Sequence, residues 1–272
     1  MNVVMASPSV AVDLDARQAF CLDLVRTAGT IARDGFVQRS EAQIAMKGPQ
    51  DFLTETDAAV ERHIKARLAE AFPEDGFLGE ETGGVVVGEQ IWVVDPIDGT
   101  ANFARQIPHF CISVALVSGG ETVLGAIYNP ALDELYFARR GQGAARNGTP
   151  IWVASTTRPD AACVELGWST RVPQHFYLDA LTKILDDGAN VRRAASGALA
   201  LAYVADGRSD GYAELHMQPW DCLAGLLLVE EAGGVVAPFL AVDGLAKGGA
   251  VLAATPAIAE AMSISTGIPL VV

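Results

Sequence analysis

The sequence predicts an α/β fold, and three observations lead there. A helix-period stretch opens the chain, strand-length apolar runs bounded by turn signals fill its middle, and helix and strand patterns alternate through its second half. From about Asp13 to Phe36, Leu14, Leu22, Val25, Ala28, Ile31 and Ala32 recur at helical spacing, which predicts a first helix. Residues 37–53 are polar, and Lys47-Gly48-Pro49 marks them as a loop. Asp57 reads as the cap of a second helix, with Val60, Ile64, Leu68 and Phe72 on one face and Pro73-Glu74-Asp75-Gly76 ending it. Phe77-Leu78 leads into a strand that ends at Glu80. Strands follow at 91–94, 111–117, 122–128 and 134–138, separated by Ser118-Gly119-Gly120 and Asn129-Pro130. Asn147-Gly148 predicts another tight turn. Beyond it the pattern gives a strand at 162–167, helices at 174–187 and 196–206, a strand at 210–215, a helix at 221–232, a strand at 250–254 and a short helix at 256–262. There are no internal repeats and no low-complexity tracts.

Composition fits a folded enzyme. Half of the 272 residues are hydrophobic, enough for a substantial core in one large domain or two modest ones. We divide the chain into an N-terminal part, 1–150, and a C-terminal part, 151–272. Cys21, Cys111, Cys163 and Cys222 are far apart and form no CxxC pair, so they read as buried thiols in a reducing compartment. The N-terminal residues have no basic start and no sustained apolar stretch, and no run reaches the length needed to span a bilayer. These features predict a cytoplasmic protein without a membrane partner. With 33 acids against 19 bases the net charge is −14, a surface that repels nucleic acid. It would also repel a phosphate ester unless cations stood between the acids and the substrate.

Two segments carry chemistry. In Ile91-Trp92-Val93-Val94-Asp95-Pro96-Ile97-Asp98-Gly99-Thr100, an apolar run delivers two acids to a strand end. Acids three apart on an extended chain point to opposite faces, but Pro96 breaks the run, and a turn there brings both back to one side. Gly99 allows close backbone approach, and free amides beyond it suit an anion. Acids for a metal beside amides for a phosphate point to metal-assisted phosphoryl transfer to water. Taken alone, the segment reads equally well as an ordinary turn. The second segment, Trp220-Asp221 with Leu223, Leu226, Leu227, Val229 and Glu230, predicts a largely buried helix closed by Gly233-Gly234. Asp221 is its N-cap, a metal ligand, or both.

Together the segments resemble the inositol monophosphatase family of Mg-dependent, lithium-sensitive phosphatases. Asp95 to Phe103 matches the family's D-P-[IL]-D-G-T-x-N-F pattern, and Trp220 to Gly234 its W-D…E-A-G-G pattern. Gly79-Glu80-Glu81 matches a G-E-E element, and Thr54 to Asp57 a T-x-T-D element. The order and spacing of all four fit. The resemblance implies layered helices and sheets, αβαβα, with the site where the two parts meet.

By the resemblance, Glu80, Asp95 and the Ile97 carbonyl hold one Mg²⁺, and Asp95, Asp98 and Asp221 a second. Lys47 falls near a weaker third position, though it reads more simply as an exposed lysine. Oxygen-only donors are what a hard dication prefers. Glu80, Thr100 and Asp57 form the catalytic set. Either Glu80 or the Thr100–Asp57 pair takes the proton of the attacking water, and Asp57 caps its own helix as well. Gly99 and Thr100 offer amides to the phosphate. Asp98, Ala195, Ser196 and Glu214 form the substrate side: Glu214 lies seven residues before Asp221, where the inositol enzymes place a glutamate that binds ring hydroxyls. Read without the family, Glu214 is a strand-end surface acid. In Arg192-Arg193-Ala194-Ala195-Ser196-Gly197-Ala198, Ala195 and Gly197 stand where the family usually has Gly and Ala. The expected activity is Mg-dependent hydrolysis of inositol monophosphates by a homodimer acting on a small phosphate ester, with other sugar and polyol phosphates as further substrates. The alternatives are histidinol phosphate, fructose-1,6-bisphosphate or adenosine bisphosphate hydrolysis, and binding to the transcription machinery without catalysis.

Overall fold

A computed structural model describes residues 13–38, 44–48, 51–85 and 88–271. The opening apolar period forms α1 (Leu14–Gln38), which buries Cys21, Leu24, Val25, Ala28 and Ala32 along one side. An antiparallel hairpin of β1 (Ile44–Gly48) and β2 (Asp51–Thr54) follows. It replaces the loop predicted over 37–53, because strands of five and four residues are too short to show a period. Lys47 lies on β1, and its side chain falls outside the described residues. The cap of α2 (Glu55–Ala71) is Thr54, not Asp57. Asp57 is the third helical residue, and its carboxylate accepts the Thr54 N–H at 2.9 Å. The pair is a capping box, which satisfies two otherwise orphaned donors at once.

Eight strands then build one sheet. They are β3 (Gly76–Gly79), β4 (Gly83–Val85), β5 (Gln90–Asp98), β6 (Cys111–Ser118), β7 (Glu121–Asn129), β8 (Glu134–Arg139), β9 (Ala144–Arg146) and β10 (Thr149–Ile151), with the short α3 (Thr100–Ala104) after β5. Their spatial order is β10-β9-β8-β7-β6-β5-β3-β4, and β3 runs parallel to β5. From Ile91 to Asp98 every residue of β5 is buried. A continuous apolar run of this kind marks a strand covered on both faces.

A second sheet has the order β12-β11-β13-β15-β14. Here β11 (Cys163–Leu166), α4 (Gln174–Asp186), β12 (Asn190–Arg192), α5 (Gly197–Ala205), β13 (Gly211–Met217), α6 (Pro219–Glu231), β14 (Val235–Val236), α7 (Gly244–Lys247), β15 (Gly249–Ala254) and α8 (Pro256–Thr266) alternate along the chain.

Three apolar clusters stack these elements into layers. Leu24, Val25, Val60 and Ile64 of α1 and α2 pack on Trp92, Val94, Ile112 and Val114 of the large sheet. On that sheet's other face, Val93, Ala115 and Ile127 meet Leu201 and Leu227 of α5 and α6, which also cover Tyr212, Val251 and Ala253 of the small sheet. Ile184 of α4 and Ile258 of α8 close the far side over Val164 and Leu252. The result is a five-layer αβαβα sandwich, an α+β arrangement. The middle position of α6 explains why Cys222 to Val229 are buried without a break: a helix between two sheets has no polar face. Among the described residues no helix is long and apolar enough to cross a membrane.

Candidate active site

The site forms where β5 ends. Along the β5–β6 ladder Asp95 faces Ser113 and Asp98 faces Cys111, so three steps on β5 match two on β6. The extra residue is a bulge at Pro96-Ile97. It cancels the alternation that would have sent the two acids to opposite faces. The Asp95 carboxylate accepts the Ile97 N–H at 2.9 Å, which fixes the turn. Glu80 follows β3, with its N–H donating to the Val94 carbonyl at 3.1 Å, and so stands beside Asp95. Asp221 arrives from α6. It is not the N-cap of that helix: Gln218 is, with Pro219 at the first helical position. Proline suits that position because its missing N–H has no partner there in any helix. The Asp221 carboxylate accepts the Gln218 N–H at 3.1 Å.

Carboxylate oxygens of Asp95, Asp98 and Asp221 all lie within 4.8 Å of one another. Burial raises the pKa of each. At Asp95 the charges of Glu80, Asp98 and Asp221 raise it further, all of one sign. Carboxylates held this close in a buried place bind protons or a cation. Oxygen donors alone, with the Ile97 carbonyl adjacent, form a set suited to a hard dication such as Mg²⁺.

Asp98 is fixed from the other part of the chain. It accepts the Ser196 hydroxyl, the Ala198 N–H at 2.8 Å and the Gly197 N–H at 3.3 Å, at the start of α5. Ser196, expected on the substrate side, is 3% exposed and turns its hydroxyl to Asp98. Ala195 has φ 59°, a backbone conformation that glycine adopts more readily. Gly99 has φ 92°, and a Cβ there would lie 3.0 Å from the His109 carbonyl and 3.1 Å from the Ser196 Cβ. A side chain at this turn would be strained and crowded. Thr100 Oγ1 lies 2.9 Å from the Ile97 carbonyl and 3.2 Å from Asp57 Oδ1. Asp57 is fully buried, its other oxygen taken by the Thr54 N–H and hydroxyl. Burial pushes its carboxyl up to about 6, against the hydrogen bonds from Thr54.

One cavity of about 270 Å³ is lined by Glu80, Asp95 and Asp98 of β5, Asp221 of α6, the Gly99-Thr100 turn, Ala195-Ser196 and Glu214. Asp57 touches this set through Thr100. Sequence reasoning missed two residues. Asn102 donates its amide to the carbonyls of His109 at 2.7 Å and Ala194 at 2.8 Å, pinning the 194–195 segment beside the turn. Its place in the D-G-T-x-N-F pattern is the signal that could have found it. Tyr212, which donates to Glu214 at 2.6 Å, belongs to no motif read from the sequence.

Fold and site together define a layered αβαβα protein with a buried oxygen-donor centre between its two sheets. The chain belongs to the inositol monophosphatase family, whose model matches residues 13–264. It is similar to the inositol-1-monophosphatase of Rhizobium meliloti (strain 1021), 43% identical over 209 residues, 75% of this chain and 78% of the relative. It is also similar to Nus factor SuhB of Salmonella typhimurium, 36% identical over 241 residues, 87% of this chain and 90% of the relative. Among solved structures, the extragenic suppressor protein suhB from Bartonella henselae superposes with a TM-score of 0.85 at 32% identity, covering 92% of this chain and 98% of that one. Membership of the family supports a phosphatase, and the relatives' names divide between an enzyme and a Nus factor.

Proposed function

We propose that the protein is a Mg²⁺-dependent phosphomonoesterase that hydrolyses inositol monophosphates, and other sugar and polyol phosphates more slowly. The observation that carries this reading is the buried acid cluster abutting the Gly99-Thr100 turn. Glu80, Asp95, Asp98, Asp221 and the Ile97 carbonyl would hold the metal. When bound, Mg²⁺ neutralises charge on the phosphoryl group and lowers the proton affinity of coordinated water. The chain supplies the rest. The amides of Gly99 and Thr100 orient the phosphate. Thr100 Oγ1 would take the proton of the attacking water as its own hydrogen passes to the Asp57 carboxylate it is bonded to. Glu80 is a second acceptor within the same cavity. Glu214 and Asp98 receive hydroxyls of the leaving group, and Ala195-Ser196 bound its space. The same reading gives a cytoplasmic homodimer inhibited by lithium.

The second reading, binding to the transcription machinery, has support in the relatives named Nus factor SuhB. A binding role makes no use of four clustered carboxylates, and a net charge of −14 opposes contact with nucleic acid. The test is phosphate release in Mg²⁺ from inositol 1-phosphate, histidinol phosphate, fructose-1,6-bisphosphate and adenosine 3′,5′-bisphosphate. Inositol 1-phosphate should lead the series. Release from none of them would overturn the enzymatic reading and favour the binding role.

A further inference from the structure

We infer that Tyr212 is a positioning residue whose phenol holds the Glu214 carboxylate where it can accept hydroxyls of the leaving group. The inference rests on the role proposed above for Glu214. Tyr212 and Glu214 are two apart on β13, so their side chains stand on one face of the strand. Both line the cavity that contains the acid cluster. Tyr212 is 3% exposed, and its hydroxyl donates to Glu214 Oε2 at 2.6 Å. A phenol has a single hydrogen to give. Spent on Oε2, it leaves Oε1 open, and among the described residues no other hydrogen bond reaches the Glu214 side chain.

Gly167, just past β11, lies against this pair. A Cβ there would stand 2.0 Å from Glu214 Oε2 and 2.5 Å from the Tyr212 hydroxyl oxygen. Space for the phenol–carboxylate pair exists because residue 167 has no side chain. Oε2 of the carboxylate therefore both accepts the phenol hydrogen and abuts the Gly167 backbone. Burial pushes the Glu214 carboxyl up to about 7. The Tyr212 hydrogen bond, Arg193 and Arg171 oppose that shift, and Asp98 adds to it. Without the phenol, Glu214 would lose its orientation and part of its charge at neutral pH. An ester without hydroxyls makes no bond to Glu214 and should not register the change.

The experiment measures kcat and KM in Mg²⁺ for inositol 1-phosphate and 4-nitrophenyl phosphate, using the parent chain, Y212F, E214Q and the double variant. Y212F should raise KM for the inositol ester about tenfold, the scale of one hydrogen bond to a charged group. It should move kcat on the inositol ester, and kcat/KM on the aryl ester, by less than about twofold. Added to E214Q, it should cost nothing more, since the phenol acts only through that carboxylate. Equal losses on both esters, or a further tenfold loss in the E214Q background, would show a structural role and overturn the inference. A harmful E214Q beside a neutral Y212F overturns the inference and leaves the reading of Glu214 standing. An E214Q that spares the inositol ester, or a parent chain that does not turn it over, overturns that reading and the inference together. If thermal melting shows Y212F unfolded, Gly167→Ala carries the test. Its methyl meets both oxygens of the Tyr212–Glu214 bond and should give the same substrate-selective loss, and a variant without selectivity overturns the inference.

Discussion

Replacing Asp95 by Asn keeps the size of the side chain and an oxygen for the Ile97 N–H, but removes one charge from the acid cluster. With intact folding, Asp95→Asn should lower kcat by at least about a thousandfold, the scale of losing a principal electrostatic stabiliser. Near-normal phosphate release from the folded variant would sink the metal-centred mechanism. Asp57 gives a second test, through pH. Its carboxyl is pushed up to about 6, so below that pH it holds its own proton and no longer accepts the Thr100 hydroxyl hydrogen. With Mg²⁺ kept saturating, turnover should fall as pH drops through about 6, and Asp57→Asn should lower the plateau and remove that part of the acid limb in a kcat–pH profile. The acids and the Gly99-Thr100 turn were legible because they sit in contiguous motifs, where a strand run, a proline and a glycine announce a special turn. Tyr212 and the role of Ser196 were not. The first depends on facing Glu214 across one strand face, and the second on a bond to Asp98 from 98 residues away in sequence.

At the scale of elements, the bulge in β5 and the turn into α3 convert a plain strand end into a site. Gly99 is the joint between them. Gly99→Ala should strain the left-handed backbone by about 1–3 kcal/mol and press a methyl on the His109 carbonyl and Ser196. The urea midpoint should fall with an unchanged m-value. Turnover should drop about a hundredfold, since small displacements of positioning groups are costly. A variant with parental kcat would show that the turn does not orient the substrate. The long elements could be read from their apolar patterns: α1, α2, β5 to β8, and the unbroken apolar run Cys222–Val229 of α6 between two sheets. The β1–β2 hairpin, β4, β12, β14 and α3 could not, because two to five residues carry no measurable period. Both predicted acid caps were displaced for one reason. An acid at the third helical position looks like a cap in sequence, but the chain enters the helix three residues earlier, at Thr54 and at Gln218.

At the scale of the whole molecule, α5 and α6 are shared between the two sheets, so the acids on β5 and α6 are held by the same packing that stabilises the fold. That couples metal binding to stability. Asp95, Asp98 and Asp221 have pKa values raised above the ordinary 3.8, so without metal their ionisation is resisted in the folded chain and not in the unfolded one. The sign follows: this part of the stability is fully present below pH 3.8 and is lost as pH rises toward the folded-state values. Mg²⁺ should reverse the loss by binding the ionised carboxylates. At a concentration about a hundredfold above its dissociation constant, it should stabilise the fold by about 2.7 kcal/mol. Protons compete for the same oxygens, so the gain in Tm should be large at pH 8 and shrink toward pH 5. In Asp95→Asn it should be much reduced at every pH. Thermal melting of both proteins, with Mg²⁺ and with chelator, measures this without recourse to activity. A gain that is independent of pH, or equal in the two proteins, would place the stabilising ion somewhere other than the acid cluster at the end of β5.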